Sequence, residues 1–280
     1  AEMFSRKAVE TGREVKIHIA ADTGMCRIGY VPSPEAIEEV KKIAALPGIT
    51  MQGIFTHFSE ADIADKEWAH EQHSRFSAFI DALKGAGVTF NIHHCCNSAG
   101  TLELPDFHRE MIRPGIIQYG YDASKEVLVT GTKIKPVMSL RCCITHLKTI
   151  YEGDCVGYGR HFTAKGPTKI ATLPIGYADG YNRALSSKID VIVHGVRAHQ
   201  VGNICMDQCM IDVSHIPNVK VGDEVVLFGE QGSECVSADE IADTCHTIIH
   251  EITCNINRRV PRVYVQNGKI VQRLEYLTQS

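Results

Sequence analysis

The sequence has one tryptophan in 280 residues and no apolar run near the roughly eighteen residues a membrane span needs, so no membrane partner is expected. No charge of one sign dominates: 29 Lys and Arg face 33 Asp and Glu, for a net charge of -4 and a pI near 6.4. That balance gives no reason to expect nucleic acid as a partner. No Gly-x-Gly-x-x-Gly follows a strand-like run, which weighs against a dinucleotide-binding fold. No Cys-x-x-Cys pair exists either. The eleven cysteines are an odd number and lie in apolar runs such as Cys142-Cys143, Cys205, Cys209 and Cys254. Such usage fits a reduced, cytosolic compartment better than a disulfide scaffold. His93-His94-Cys95-Cys96 invites a metal reading, but neighbours on a strand point to opposite faces, so no metal site is expected.

What is present is ordinary globular material, 44% hydrophobic and 22% charged, enough for two domains or one large one. Ala1 to Arg13 reads as the tail of a helix already under way, so a segment ahead of Ala1 is expected. Strand-like and helix-like segments then alternate. Val15 to Asp22 is β-branched and strand-like. Ser33-Pro34-Glu35 opens a helix with a capping serine and a proline at its first position, and Pro47-Gly48 stops it. Ile49 to Phe58 is a second strand. Asp65 to Lys84 is a helix with Phe76, Phe79, Ile80 and Leu83 on one stripe. Val88 to Cys95 and Glu110 to Ile117 are the third and fourth strands. This alternation predicts a parallel sheet, open or barrel-closed. Beyond Pro136 short β-rich runs take over: Met138 to Thr145, Thr168 to Ile175, Ile189 to Val193, Gln208 to Val213 and Glu224 to Phe228. One helix, capped by Ser237-Ala238-Asp239-Glu240, interrupts them. The predicted organisation is an α/β domain over residues 1–135 and an antiparallel β domain over residues 136–280.

Chemistry is expected at the C-terminal ends of the parallel strands. The third strand runs into Asn97-Ser98-Ala99-Gly100, and the fourth into Arg113-Pro114-Gly115-Ile116. The hydroxyl of Ser98 and the backbone freed by Gly115 suit a phosphate cup, though tight turns also favour these residues. The first strand ends near Arg27, which is suited to holding a carboxylate or to sitting on a turn surface. The second ends at His57, a hydrogen-bonding group or a satisfied core histidine. In the β domain, Gly157-Tyr158-Gly159, Gly176-Tyr177-Ala178-Asp179-Gly180 and Cys205-Met206-Asp207 stand out. Glycines beside tyrosines let the ring project into a site or simply lie on the surface.

Taken in order, Asp22-Thr23-Gly24-Met25-x-Arg27-x-Gly29, Thr56-His57-Phe58, Asn97-Ser98-Ala99, Arg113-Pro114-Gly115-Ile116, Gly157-Tyr158-Gly159, Gly176-Tyr177-Ala178-Asp179-Gly180, Cys205-Met206-Asp207-Gln208 and Arg259-Val260-Pro261-Arg262 resemble the alanine racemase family over essentially the whole chain. The resemblance implies a pyridoxal 5'-phosphate (PLP) isomerase that interconverts L-alanine and D-alanine and supplies D-alanine for peptidoglycan. It implies a (β/α)8 barrel followed by a β-rich domain, and a homodimer whose site is shared across subunits. By position, Ser98, Gly115 and Ile116 match phosphate-binding residues, Arg113 faces the pyridine nitrogen and His57 supports it. Arg27, Met206 and Tyr177 match substrate contacts, Arg183 the route of approach, and Tyr158 the catalytic tyrosine.

Departures accompany the match. The family's Lys-Ala-x-x-Tyr-Gly motif, which carries the PLP lysine, does not occur here. About four strand–helix units precede the β domain, against eight in a full barrel. The expected fold is therefore the C-terminal half of the barrel plus the whole β domain. Ala20 stands where many members have a lysine that steadies the Arg27 position, and Asn203 where many have an arginine. Arg258 is a third departure, still able to bind phosphate. Two alternatives stay open: a serine or broad-specificity racemase, and a non-catalytic PLP- or anion-binding remnant.

Overall fold

The computed structural model describes residues 1–126 and 134–277, in two compact units, 1–135 and 136–280. In the first, helix α1 (Glu2–Thr11) leads into strand β1 (Val15–Ala20), helix α2 (Pro34–Ala44), strand β2 (Ile49–Phe55), helix α3 (Glu67–Gly85), strand β3 (Ile92–His94) and the short helix α4 (Ser98–Glu103). The three strands pair in parallel in the order β1-β2-β3. Helix α2 begins as its sequence dictates: the Ser33 hydroxyl accepts the Ala36 N–H at 3.2 Å, and Pro34 occupies the first turn. Along α3, Ala69, Gln72, Phe76, Phe79 and Leu83 are buried at alternating spacings of three and four. That stripe lies on the core formed by Ile19, Val40, Ile54 and Phe58.

The fourth strand expected over Glu110 to Ile117 does not form; the segment is irregular until a 3-10 turn at Ile116–Tyr119. Pro114 has no N–H to give a ladder. The Glu110 carboxylate instead accepts from the His93 N–H at 2.8 Å and approaches His93 Nδ1 at 2.9 Å, blunting the edge of β3. The third strand is likewise shorter than expected. Cys95 and Cys96 lie past its end, so strand alternation does not separate them. Both are buried, with Sγ atoms 3.9 Å apart.

The second unit contains β4 (Leu140–Cys143), β5 (His146–Ile150), the ribbon β6 (Cys155–Val156) with β7 (Phe162–Thr163), β8 (Thr168–Leu173), β9 (Asp190–Val193), β10 (Val196–Val201), β11 (Cys209–Asp212), β12 (Glu224–Gln231) and β13 (Glu234–Val236). The main sheet runs β13-β12-β9-β10-β11-β8-β5, with β4 also on β12, and these pairings are antiparallel. His194-Gly195 makes the tight β9–β10 turn, both residues at positive φ. Two helices follow rather than one, α5 (Ala238–Cys245), capped by Ser237, and α6 (Ile249–Asn255). A hairpin of β14 (Arg262–Gln266) and β15 (Lys269–Leu274) comes last. Among the described residues, no helix is long and apolar enough to cross a membrane.

Phe76 is fully buried in the first unit's core. Phe76→Ala is expected to cost about 3–5 kcal/mol, cavity included, read as a lowered urea midpoint. A loss under about 1 kcal/mol would show that α3 does not seal this core.

Candidate active site

In the first unit the predicted residues gather at the C-terminal ends of the strands. After β1 the Asp22 carboxylate accepts the N–H groups of Gly24 (3.0 Å) and Cys26 (2.9 Å), turning the chain so that Arg27 stands exposed. Gly29 closes this loop at φ +114°, where a Cβ would lie 2.8 Å from the Ala20 carbonyl oxygen. The Thr23 and Thr56 hydroxyls meet at 2.7 Å. Buried Gln72 ties both loops to α3: its Nε2 donates to the Thr23 hydroxyl at 3.4 Å and to the His57 carbonyl at 3.1 Å, and its Oε1 accepts the Ser59 N–H at 2.9 Å. Gln72 is not among the residues singled out from the sequence; its place one turn ahead of Phe76 on the same helix face is the one sequence signal it carries.

Arg113 stands at the centre. Its Nη1 donates to His94 Nδ1. Its Nη2 donates to the Thr56 carbonyl at 2.8 Å, to His57 Nδ1 at 3.3 Å and to the Cys95 carbonyl at 3.4 Å. The ring of Phe55 lies under the guanidinium at 5.3 Å. A guanidinium only donates, so both histidines accept through Nδ1 and carry their proton on Nε2. Burial holds His57 below the usual imidazole range, helped by the charges of Arg113 and Arg27. Burial and the Arg113 charge, followed by His18 and His93, push His94 down to about 4. Both rings are thus neutral at pH 7.

Beside Arg113, the Ser98 hydroxyl oxygen accepts the Gly115 N–H at 2.8 Å, which leaves the hydroxyl proton for an outside acceptor. Asn97 caps α4 through its side-chain oxygen and holds Ser98 in place. Ser98, Gly115 and Ile116 therefore share one corner, with Ile116 buried beneath it. Cys96 lies behind: the Cys95 thiol lowers its pKa by hydrogen bonding, while the Cys95 thiol is itself pushed up. Among the described residues, no group of three or more His, Cys, Asp or Glu could hold a metal.

The second unit assembles its own motifs. Tyr158 lies on a short turn between Gly157 (φ +69°) and Gly159 (φ +76°), its side chain 76% exposed. Asn203 Nδ2 donates to the Tyr158 carbonyl at 2.8 Å, so this departure from the family holds the tyrosine's backbone. Gly176 packs so closely on the Cys205 and Met206 carbonyls that any Cβ would collide with them. The Tyr177 and Ala178 N–H groups donate to those carbonyls, each at 3.0 Å. Asp179 accepts the Gly176 N–H and pairs with Arg259, which also grips Asp207 at 2.6 Å. Three motifs far apart in sequence thus converge. Tyr177, Met206 and Arg183 are exposed beside them, and Tyr177 and Arg183 border one open cavity with Asn182 and Asn255.

Comparisons with known proteins agree along the chain. Residues 1–123 match the family model described as alanine racemase, N-terminal domain, and residues 137–264 match alanine racemase, C-terminal domain. Alanine racemase 1 of Clostridium acetobutylicum is 46% identical over 277 residues, 99% of this chain and 72% of that protein. The solved alanine racemase of Clostridium difficile superposes with a TM-score of 0.93 at 40% identity, over 98% of this chain and 70% of that one. The alanine racemase of Bacillus anthracis with bound L-Ala-P gives 0.91 at 35% identity, over 99% and 72%. Matching both domain models at these identities, the chain belongs to the alanine racemase family and has that family's architecture of barrel plus β domain.

Proposed function

We propose that the protein interconverts L-alanine and D-alanine with PLP held by its first unit. The observation that carries this reading is the placement of Arg113: a half-buried cation held only by neutral acceptors, next to the Ser98–Gly115 corner. That corner fits a phosphate, because the Ser98 proton is unspent and the glycine backbone is open; a Cβ on Gly115 would meet only Ser98 Oγ, at 3.6 Å. Arg113 fits a pyridine nitrogen, which as a base accepts a donated N–H. Ser98 and the Gly115–Ile116 backbone would hold the phosphate, and Arg113, supported by His57, would hold the ring nitrogen. PLP, when bound, supplies the sink for the electron pair left as the substrate's Cα–H bond breaks.

The remaining steps belong to the chain's own groups. Arg27 binds the substrate carboxylate, and the Met206 backbone and Tyr177 border the substrate. Tyr158 moves the α-proton at its phenolic oxygen. A phenol with a reference pKa of about 10 does this near neutral pH only beside a cation or a donor. Arg113, always protonated, leaves the pyridine nitrogen without a proton and so restrains side reactions that need a stronger sink.

The finer assembly follows the same reading. Residues 1–135 are the C-terminal half of a (β/α)8 barrel, supported by three parallel strands among the described residues where a closed barrel has eight. The active unit is a homodimer in which Tyr158 serves the partner subunit's cofactor. A cytoplasmic location is supported by eleven free thiols.

With PLP added, the protein is expected to interconvert alanine enantiomers and exchange their α-protons for deuterium in D2O. The absence of both exchange and PLP binding would refute the reading, and serine turned over in preference to alanine would refute the substrate. Tyr158→Phe is expected to lower racemisation about 10²- to 10⁴-fold; an unchanged rate would remove Tyr158 as a proton carrier. Arg113→Glu is expected to raise keto-acid formation relative to racemisation, and an unchanged ratio would contradict its role. Because His57 and His94 have pKa values below that of an unfolded histidine, the unfolded chain binds more protons as pH falls. Stability should therefore hold above pH ~6.5 and fall from there toward about 4, as read from thermal midpoints across that window. A flat profile would mean that the rings are not buried neutral.

A further inference from the structure

Behind Arg113 lies an arrangement that the proposed reaction does not itself use. His94 Nε2 is 2.8 Å from His18 Nδ1. His94 Nδ1 is already an acceptor for Arg113, so the neutral His94 ring must carry its proton on Nε2 and donate it to His18. His18 Nδ1 is then an acceptor too, and its proton sits on Nε2. The direction of the whole chain is set at one end by a group that cannot accept. Gly53, paired with His18 across β1 and β2, makes the room: a Cβ there would lie 2.5 Å from His18 Nδ1. The register of β1 on β2 shifts between Ile17 and His18, which re-aims this side chain. Phe55 stacks on His94 at 5.1 Å and 10°. The charged and titratable groups facing His94 are Arg113, His18 and His93.

Resting on the reading of Arg113 as the pyridine-facing group, we propose that His94 and His18 are positioning residues, a one-way imidazole chain holding Arg113 through a neutral acceptor so that its charge stays uncompensated toward the cofactor. A carboxylate at the same place would orient the guanidinium equally well but cancel its field. An imidazole supplies the acceptor without the charge, and His18 satisfies the N–H that this choice leaves buried.

The test is imidazole ¹⁵N NMR on histidine-labelled, cofactor-free protein at pH 7, with kinetics of the PLP-loaded protein beside it. His94 and His18 should both show the Nε2–H form. Arg113→Met should release both rings to mixed tautomers, including His18, which touches Arg113 only through His94. His94→Leu should lower kcat for alanine about 10- to 100-fold with little change in KM. His94→Gln, whose amide keeps one acceptor and one donor, should recover most of that loss, and His94→Glu should raise keto-acid formation as a cancelled charge would. His94 carrying its proton on Nδ1, or His18 unmoved in Arg113→Met, would overturn the proposal. Wild-type tautomers as expected in a protein that binds PLP but never racemises alanine would sink the functional reading and leave the chain of hydrogen bonds standing.

Discussion

The first unit is organised around a half-buried cation whose acceptors are all neutral. Removing a guanidinium from water is costly unless its donors are taken up. Arg113 meets that constraint with two histidine nitrogens and two carbonyl oxygens drawn from the ends of β2 and β3. Those acceptors dictate much else. Strands β2 and β3 must end level, so that the Thr56 and Cys95 carbonyls point inward. The segment carrying Arg113 must leave the sheet, and it does so irregularly, with the Arg113 N–H donated to the Cys96 carbonyl at 2.9 Å. Ser98 and Gly115 are brought together by the same fold-back, so the phosphate corner and the cation share one structural cause.

The second unit solves a different problem, that of gathering loops. Its sheet is an ordinary antiparallel scaffold, with Leu173, Val191, Ile192, Ile211 and Val226 fully buried. The functional loops are joined by close backbone approach and by charge. Gly176 and Gly180 each lie where a side chain would strike a neighbouring carbonyl, so these positions need glycine for room. Arg259 clamps Asp179 and Asp207 from a third loop. Its distance from both in sequence hides the clamp until the chain is folded.

How much was legible follows from the range of the interactions. Helices α2 and α3 were readable because caps and spacings of three and four residues are local, as Ser33 and the Ala69-to-Leu83 stripe show. The loop motifs placed Arg27, His57, Ser98, Arg113 and Tyr158 as candidates, and the structure sets the first four at strand ends or the turns beyond them. The supposed strand at Glu110 to Ile117 misled because β-branched residues there line a turn behind Pro114. Strand β10 escaped notice because His199 and Gln200 interrupt its apolar pattern; buried Gln200 is satisfied by the Ser187 N–H at 2.6 Å and the Gly202 carbonyl at 3.0 Å. His18 and His94, 76 residues apart, carried no local sign of partnership.

The central claim is that an uncompensated guanidinium faces the cofactor's ring nitrogen. The most direct measurement is the ¹⁵N chemical shift of that nitrogen in protein loaded with ring-labelled PLP, followed across pH. The account predicts an unprotonated, hydrogen-bonded nitrogen throughout the range in which the protein stays folded. A protonated nitrogen at neutral pH would contradict it, because Arg113 as placed has only protons to give.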